Sequence, residues 1–188
     1  MKSLDTQRLI LRDFSMDDLR DFHAYCADPD VGIHAGWPPH EGIEQSEKAL
    51  RELMAQEACW AIADRQSGKN IGYIRLHPDD RRRRSPKNCQ VMSYILAKPY
   101  WGQGYMTEAV QRVLRYVFEE MNLKLVSIYR FSYNARSARV MEKCGFTYEG
   151  TLRWCTERFD GQLLDVMCFS MSCEEYDRQF GREQEGAQ

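Results

Sequence analysis

Nothing in the sequence approaches the ~20 consecutive apolar residues that a membrane-crossing helix needs, so no bilayer span is expected. Neither charge sign dominates: 26 basic residues against 28 acidic ones leave a formal net charge of −2. That balance argues against the broad basic field that recruits nucleic acid or an acidic membrane surface. Cysteine pairs are missing too. The seven cysteines are scattered and never spaced C-x-x-C, and Cys168 with Cys173 stands too isolated for a zinc site. The four histidines lack paired spacing, which argues against a metal centre. The opening "MKSLDTQRLILRDF" carries charges through its apolar residues, unlike a secretory leader. A reducing, cytoplasmic setting is therefore expected, with most cysteines as small buried hydrophobes. Repeats, linkers and low-complexity stretches are absent as well. This predicts one domain over residues 1–181 and a frayed tail, "REQEGAQ", over 182–188.

What the chain does have is core-forming material, 43% hydrophobic and 12% aromatic residues in a length of 188. Branched apolar residues in "RLILRDF" (8–14) predict a first strand. "SMDDLRDFHAYCAD" then reads as a helix with Ser15 as N-cap, stopped by Pro29. After the loop "GWPPHEG", "IEQSEKALRELMAQE" predicts a second helix with Ile43, Leu50 and Met54 on its apolar side. "ACWAIADRQSGKNIGYIRLHP" alternates about a turn as a hairpin does, and "CQVMSYILA" (89–97) is apolar on both faces near its end, as a central strand is. A third helix follows "PYWGQG", with Met106, Val110, Val113, Leu114, Val117 and Met121 in one stripe. "KLVSIYRF" is another strand, "NARSARVMEKCGF" a short helix stopped at Gly145, and "FTYEGTLRW" with "QLLDVMCFSM" a last hairpin. A terminal helix is expected over 173–181. The order β-α-α-β-β-β-α-β-α-β-β describes an α/β (α+β) domain. The only charge block, Arg81 to Arg84, reads as a solvated loop, with anion binding as the minor alternative.

Two glycines one residue apart, Gly102 and Gly104, open the third helix. Glycine contributes no side chain and costs backbone entropy, so either the turn needs its conformational freedom or something approaches the main chain. A strand-to-helix turn bares the first-turn N–H groups, and the helix dipole adds positive potential, a combination that receives phosphate. Gln103, Tyr105, Met106 and Thr107 would then contribute N–H groups. A tight turn alone explains the pair equally well. The phosphate-loop NTPase and dinucleotide motifs both fail, because Tyr105-Met106 stands in place of Lys-Ser/Thr and Thr107 in place of a third glycine. One strand downstream, Asn134 and Ser137 sit at i and i+3. They are either an N-cap pair or, for Asn134, a hydrogen bond to a ligand amide with Ser137 facing the ligand's reactive end.

"YWGQGYMTEAV" and "NARSARVMEKCGFTYEGTLRW", with the order of elements, resemble the GNAT N-acetyltransferases. The opening "TQRLILRDFSMDDL" and closing "FDGQLLDVMCFSM" are similar to the branch of ribosomal-protein N-terminal acetyltransferases (RimJ/RimL-like), so the resemblance spans about residues 5–172. It implies a mixed, mostly antiparallel sheet splayed between the fourth and fifth strands, with helices on both faces. It also implies acetyl-CoA as co-substrate, a primary amine as acceptor, direct attack in a ternary complex, and a monomer or homodimer. The pyrophosphate would lie on residues 102–107. The pantetheine amides would pair with Leu96 and Ala97, the thioester carbonyl would meet an N–H around Ile95 and Leu96, and Asn134, Ser137 and Arg139 would complete the cofactor site. Two positions depart from the family pattern. Pro99 stands at the motif's leading Gln/Arg, and Met141 at the acid tyrosine seven residues after Asn134, leaving Ser137 as proton donor.

The base is left open among Tyr94, His77 and Glu149, each also readable as structural. An amine terminus with a pKa of roughly 8 is partly neutral at pH 7 and needs no strong base. Trp37 either rims the acceptor site or simply packs. The acceptor is a protein N-terminus, a polyamine, an aminoglycoside or another small amine. A cationic acceptor would favour Glu41, Glu44, Glu47, Glu157 and Asp160 in two loops. The contrasting function is a non-catalytic acyl-CoA-binding sensor or scaffold.

Overall fold

Residues 2–82 and 88–181 are described by the computed structural model. The expected tail over 182–188, and Arg83 and Arg84 of the charge block, lie outside these residues.

The chain builds an eight-stranded sheet in the order β1-β2-β3-β4-β5-β6-β8-β7. The strands are β1 (Leu4–Asp5), β2 (Leu9–Arg12), β3 (Cys59–Asp64), β4 (Asn70–Pro78), β5 (Cys89–Leu96), β6 (Leu125–Phe131), β7 (Thr147–Glu157) and β8 (Leu163–Ser172). Every neighbouring pair is antiparallel except β5 and β6. Helices α1 (Leu19–Cys26), α2 (Pro29–Ala35), α3 (Ile43–Met54), α4 (Tyr105–Glu119), α5 (Ala135–Lys143) and α6 (Cys173–Phe180) complete the fold.

Alternation along β3 and β4 explains why helices cover both faces. Trp60, Ile62, Ile74 and Leu76 point to a core shared with the buried stripe of α4, including Val110, Val113, Leu114 and Val117. Cys59, Ala61 and Tyr73 point the other way, onto Phe22, Tyr25 and Cys26 of α1 and Leu50 and Leu53 of α3.

β5 and β6 pair in parallel only as far as Met92 opposite Ile128. β5 continues to Leu96 along β4, and β6 continues to Phe131 along β8, with no pairing between them. The sheet therefore splays there. These are the expected fourth and fifth strands, since the two-residue β1 adds one strand ahead of them.

Helix α1 ends at Cys26, ahead of Pro29 as expected, and Pro29 also begins a further helix, α2. That proline occupies the first turn of α2, where a missing N–H costs nothing, and the Asp28 carboxylate caps the helix by accepting from the Asp30 N–H at 2.9 Å. Two local expectations change. On α3, Ile43 and Met54 are 40% and 42% exposed, and Leu50 with Leu53 forms the buried side. The terminal helix ends at Phe180, one residue before the expected Gly181.

Candidate active site

The turn into α4 answers why two glycines stand there. Gly102 has φ +75° and Gly104 φ +81°, left-handed values that cost other residues energy. At Gly102 a Cβ would point into open space, meeting nothing within 4 Å. The turn therefore needs glycine, and its outer side at Gly102 is clear. The first helical bond of α4 runs from the Glu108 N–H to the Gly104 carbonyl at 3.0 Å, and Gly104 has no side chain to cap the helix. The N–H groups of Tyr105, Met106 and Thr107 thus lack intrahelical acceptors.

A clamp from β2 holds this turn. The Arg8 side chain donates to Glu108 Oε2 (2.7 Å) and to the Gln103 carbonyl (3.0 Å), and lies 4.2 Å over the Tyr105 ring. Glu108 also accepts from the Arg8 N–H (2.8 Å) and from Thr6 Oγ1 (2.6 Å). Burial pushes the Glu108 carboxyl upward, but these hydrogen bonds outweigh it and leave the pKa below the ordinary glutamate value. Nothing in the sequence singled out Arg8 or Glu108, whose contact spans 100 residues.

At the splay, backbone direction decides what is available. The Ala97 N–H donates to the Ile71 carbonyl at 2.8 Å. By antiparallel alternation Ile95 also turns to β4, and its carbonyl lies so close to Gly72 that a Cβ there would sit 2.2 Å from it. Tyr94 and Leu96 turn their main-chain groups into the gap. The Leu96 carbonyl is taken by Trp101 Nε1 at 2.7 Å, leaving its N–H facing the gap. The expected pairing through Ala97, and the share given to the Ile95 N–H, are corrected accordingly.

Tyr94 and Ser137, expected in separate roles, meet with their hydroxyls 2.8 Å apart. Burial pushes the Tyr94 phenol well above its ordinary pKa, so it stays protonated at neutral pH. The Asn134 side-chain oxygen accepts from the Ser137 N–H at 3.1 Å, which is the capping arrangement, and its Nδ2 faces the His34 carbonyl at 3.4 Å.

The gap and the α4 turn open into one cavity of about 780 Å³. Tyr94, Ile95, Leu96, Gly102, Gly104, Tyr105, Met106, Thr107, Asn134, Ser137, Arg139 and Trp37 line it; Ala97 and Gln103 do not. Gln103 turns its side chain back to the Pro99 carbonyl (2.7 Å). His77 and Glu149 lie outside the lining. His77 Nδ1 is 3.0 Å from the Pro78 carbonyl, with its pKa lowered by burial. Glu149 pairs with Arg82 and accepts from Ser170 Oγ at 2.7 Å. Arg136, Arg139 and Lys143 of α5, with Lys98, Arg75, Arg81 and Arg130, line the cavity, while among the described residues no Asp or Glu does. Arg136 stacks 4.3 Å over Trp101 and lies 3.0 Å from His34 Nε2, and burial first, then Arg136, lowers the His34 pKa. Among the described residues no cluster of three His, Cys, Asp or Glu could hold a metal, and no helix is long and apolar enough to cross a membrane.

A sequence profile of the acetyltransferase (GNAT) domain matches residues 8–147. The uncharacterized N-acetyltransferase p20 of Bacillus licheniformis is 27% identical over 181 residues, covering 94% of this chain and 99% of that protein. A spermidine N(1)-acetyltransferase of Vibrio cholerae is 25% identical over 162 residues, covering 85% and 90%. The crystal structure of a GNAT-family acetyltransferase from Bacillus anthracis superposes with a TM-score of 0.83 at 24% identity, over 93% of this chain and all of that one. Spermidine N-acetyltransferase of Vibrio cholerae, solved with CoA and spermine, superposes at 0.74 with 23% identity, over 91% of this chain and 99% of that one.

Proposed function

The chain belongs to the GNAT acetyltransferase family and is an N-acetyltransferase that uses acetyl-CoA; from that premise we propose the roles of its residues and the acceptor. Acetyl-CoA supplies an activated acetyl group: a C–N bond forms to the acceptor amine, the C–S bond breaks, and the amine's proton is given up as the thiol leaves. The residues present suit that co-substrate. The unpaired N–H groups of Tyr105, Met106 and Thr107, beside the clear approach at Gly102, bind the pyrophosphate. Arg136, Arg139 and Lys143 on α5 face the remaining phosphate charge. The main-chain groups of Tyr94 and Leu96 accept the extended amide arm, and the Leu96 N–H is placed to stabilise developing negative charge on the acetyl oxygen.

Ser137 donates its proton toward the departing sulfur, oriented by the Tyr94 hydroxyl and by the Asn134 cap. Tyr94, held protonated, acts as a donor and not as a base. With no carboxylate among the described residues on the cavity wall, the amine loses its proton to water, helped by surrounding cations that disfavour an ammonium. The acceptor is a primary amine. The motif likeness to the ribosomal-protein branch favours a protein N-terminus, whereas the spermidine-acetylating relative favours a small amine. The carrying observation is the splay itself, where strand pairing ends at Met92 and Ile128 and the gap runs onto the α4 turn.

A free-thiol assay with acetyl-CoA and a panel of small amines and peptides is expected to register CoA release with at least one acceptor. Tight acetyl-CoA binding without release across the panel would instead indicate a sensor or scaffold.

A further inference from the structure

We propose that the acceptor carries a carboxylate within a few bonds of its amine, and that Arg75, with Arg81 at the rim, binds it. The proposal rests on the acetyl-transfer function above and names the substrate class.

The two ends of the cavity lie on opposite faces of the sheet. Ile74 pairs with Tyr94, and both face the α4 side, where the phosphate turn lies. Arg75 pairs with Ser93, one residue away, and so points to the other face, with Tyr73. The cations on α5 serve the cofactor end, but Arg75 and Arg81 stand on the side from which an amine would approach.

Among the described residues neither guanidinium has an anion. Arg75 is half-buried; its Nε donates to Ser93 Oγ (3.0 Å) and its Nη1 to Gln56 Oε1 (3.4 Å). Arg81 stacks 4.6 Å over the Tyr129 ring, and its Nη2 lies 3.7 Å from Cys155 Sγ. Among the described residues no carboxylate pairs with either side chain, although Arg8 and Arg12 each close on one and Arg82 on two. Asp79, on the same side, is buried and occupied by the Tyr129 hydroxyl (3.0 and 2.8 Å) and Arg82. None of Glu41, Glu44, Glu47, Glu157 and Asp160 lines the cavity. Glu47 is bound to Arg51 and Asp160 to Arg158.

A half-buried guanidinium without a counter-charge is costly, and a planar carboxylate is its matching partner. A diamine would instead bring its second ammonium against a wall of cations, which excludes it by repulsion. Thus the same residues select a zwitterionic or acidic amine and turn away a polyamine.

The test compares acceptors that differ by one carboxylate: lysine against cadaverine, and β-alanine against its amide, with spermidine alongside. Peptides beginning with Asp or with Lys distinguish a protein terminus from a free amino acid as the source of the carboxylate. The carboxylate-bearing member of each pair is expected to have a kcat/KM at least about tenfold higher, as one charge-assisted contact provides. Arg75→Gln is expected to bring each ratio to within about threefold while calorimetry finds acetyl-CoA affinity retained, and Arg81→Gln to reduce it less. Preference for cadaverine or spermidine would overturn the proposal. So would an unchanged ratio in variants that still bind acetyl-CoA. Should Arg75→Gln not fold, the wild-type ratios and Arg81→Gln decide. Absence of thiol release with every acceptor would take down acetyl transfer itself, and this proposal with it.

Discussion

At the scale of single residues, the reactive end depends on two hydroxyls from distant parts of the chain. Tyr94 and Ser137 are 43 positions apart and 2.8 Å from each other. Removing the Ser137 hydroxyl is expected to lower kcat about 10- to 100-fold with little change in acetyl-CoA affinity, because the lost contact matters most as sulfur departs. Tyr94→Phe is expected to lower kcat less, and the double variant should lose less than the product of the two, since each acts through the other. Steady-state kinetics on the three variants check this; independent effects would separate the residues. Gly102 offers a contrasting case. Its φ of +75° in open space means that Gly102→Val strains the turn and fills the approach to the α4 amides without disturbing any packed neighbour. Acetyl-CoA affinity should fall at least about tenfold, measured by calorimetry, while backbone strain of about 1–3 kcal/mol lowers the Tm by roughly 2–12 °C.

At the scale of elements, local signals were legible and long-range register was not. The glycine turn before α4, the Asn134 cap of α5 and the left-handed Gly145 after it are settled by neighbours in sequence, so the sequence announces them. The order of elements along the chain follows from the same patterns, whereas the splayed pair is what the family likeness implies. Arg8, Arg75 and the Leu96–Trp101 bond were invisible, because their meaning depends on which strand lies alongside and on which face a residue falls. Pro29 carries two local signals at once, since α1 ends before it, as expected, and α2 starts on it.

The β2–α4 clamp carries a pH dependence. Glu108 has a folded pKa below its unfolded value, so its contribution is present above the ordinary glutamate range and is lost as pH falls through the folded value. Wild-type protein should therefore lose stability and acetyl-CoA affinity more steeply below about pH 4.5 than Glu108→Gln does. Thermal unfolding followed from pH 7 to pH 3 checks the sign, and parallel curves would dismiss the clamp as a titrating element.

At the scale of the whole molecule, the sheet is two blocks joined along four residue pairs, Cys89 with Leu125 through Met92 with Ile128. Helix α4 packs against both blocks through one core. Filling the gap should stiffen the join. With acetyl-CoA at about 100 times its Kd, linkage contributes about 2.7 kcal/mol, or a Tm rise of roughly 5–10 °C for a chain of this length. Hydrogen exchange should place the new protection at the Tyr94 and Leu96 amides and not at Ile95 or Ala97, which already face β4. Protection spread evenly over β5 would contradict the assigned strand directions.

Most sheets have two rims where unsatisfied strands meet the outside, and these are where proteins stick to one another. This sheet has a further pair of rims indoors, created where β5 and β6 part company. Adjacent strands lie about 4.8 Å apart, so a slot one strand wide admits a slender, unbranched, amide-bearing thread but not a second folded polypeptide. The hazard that makes an open rim sticky is thereby turned into a gauge of molecular width.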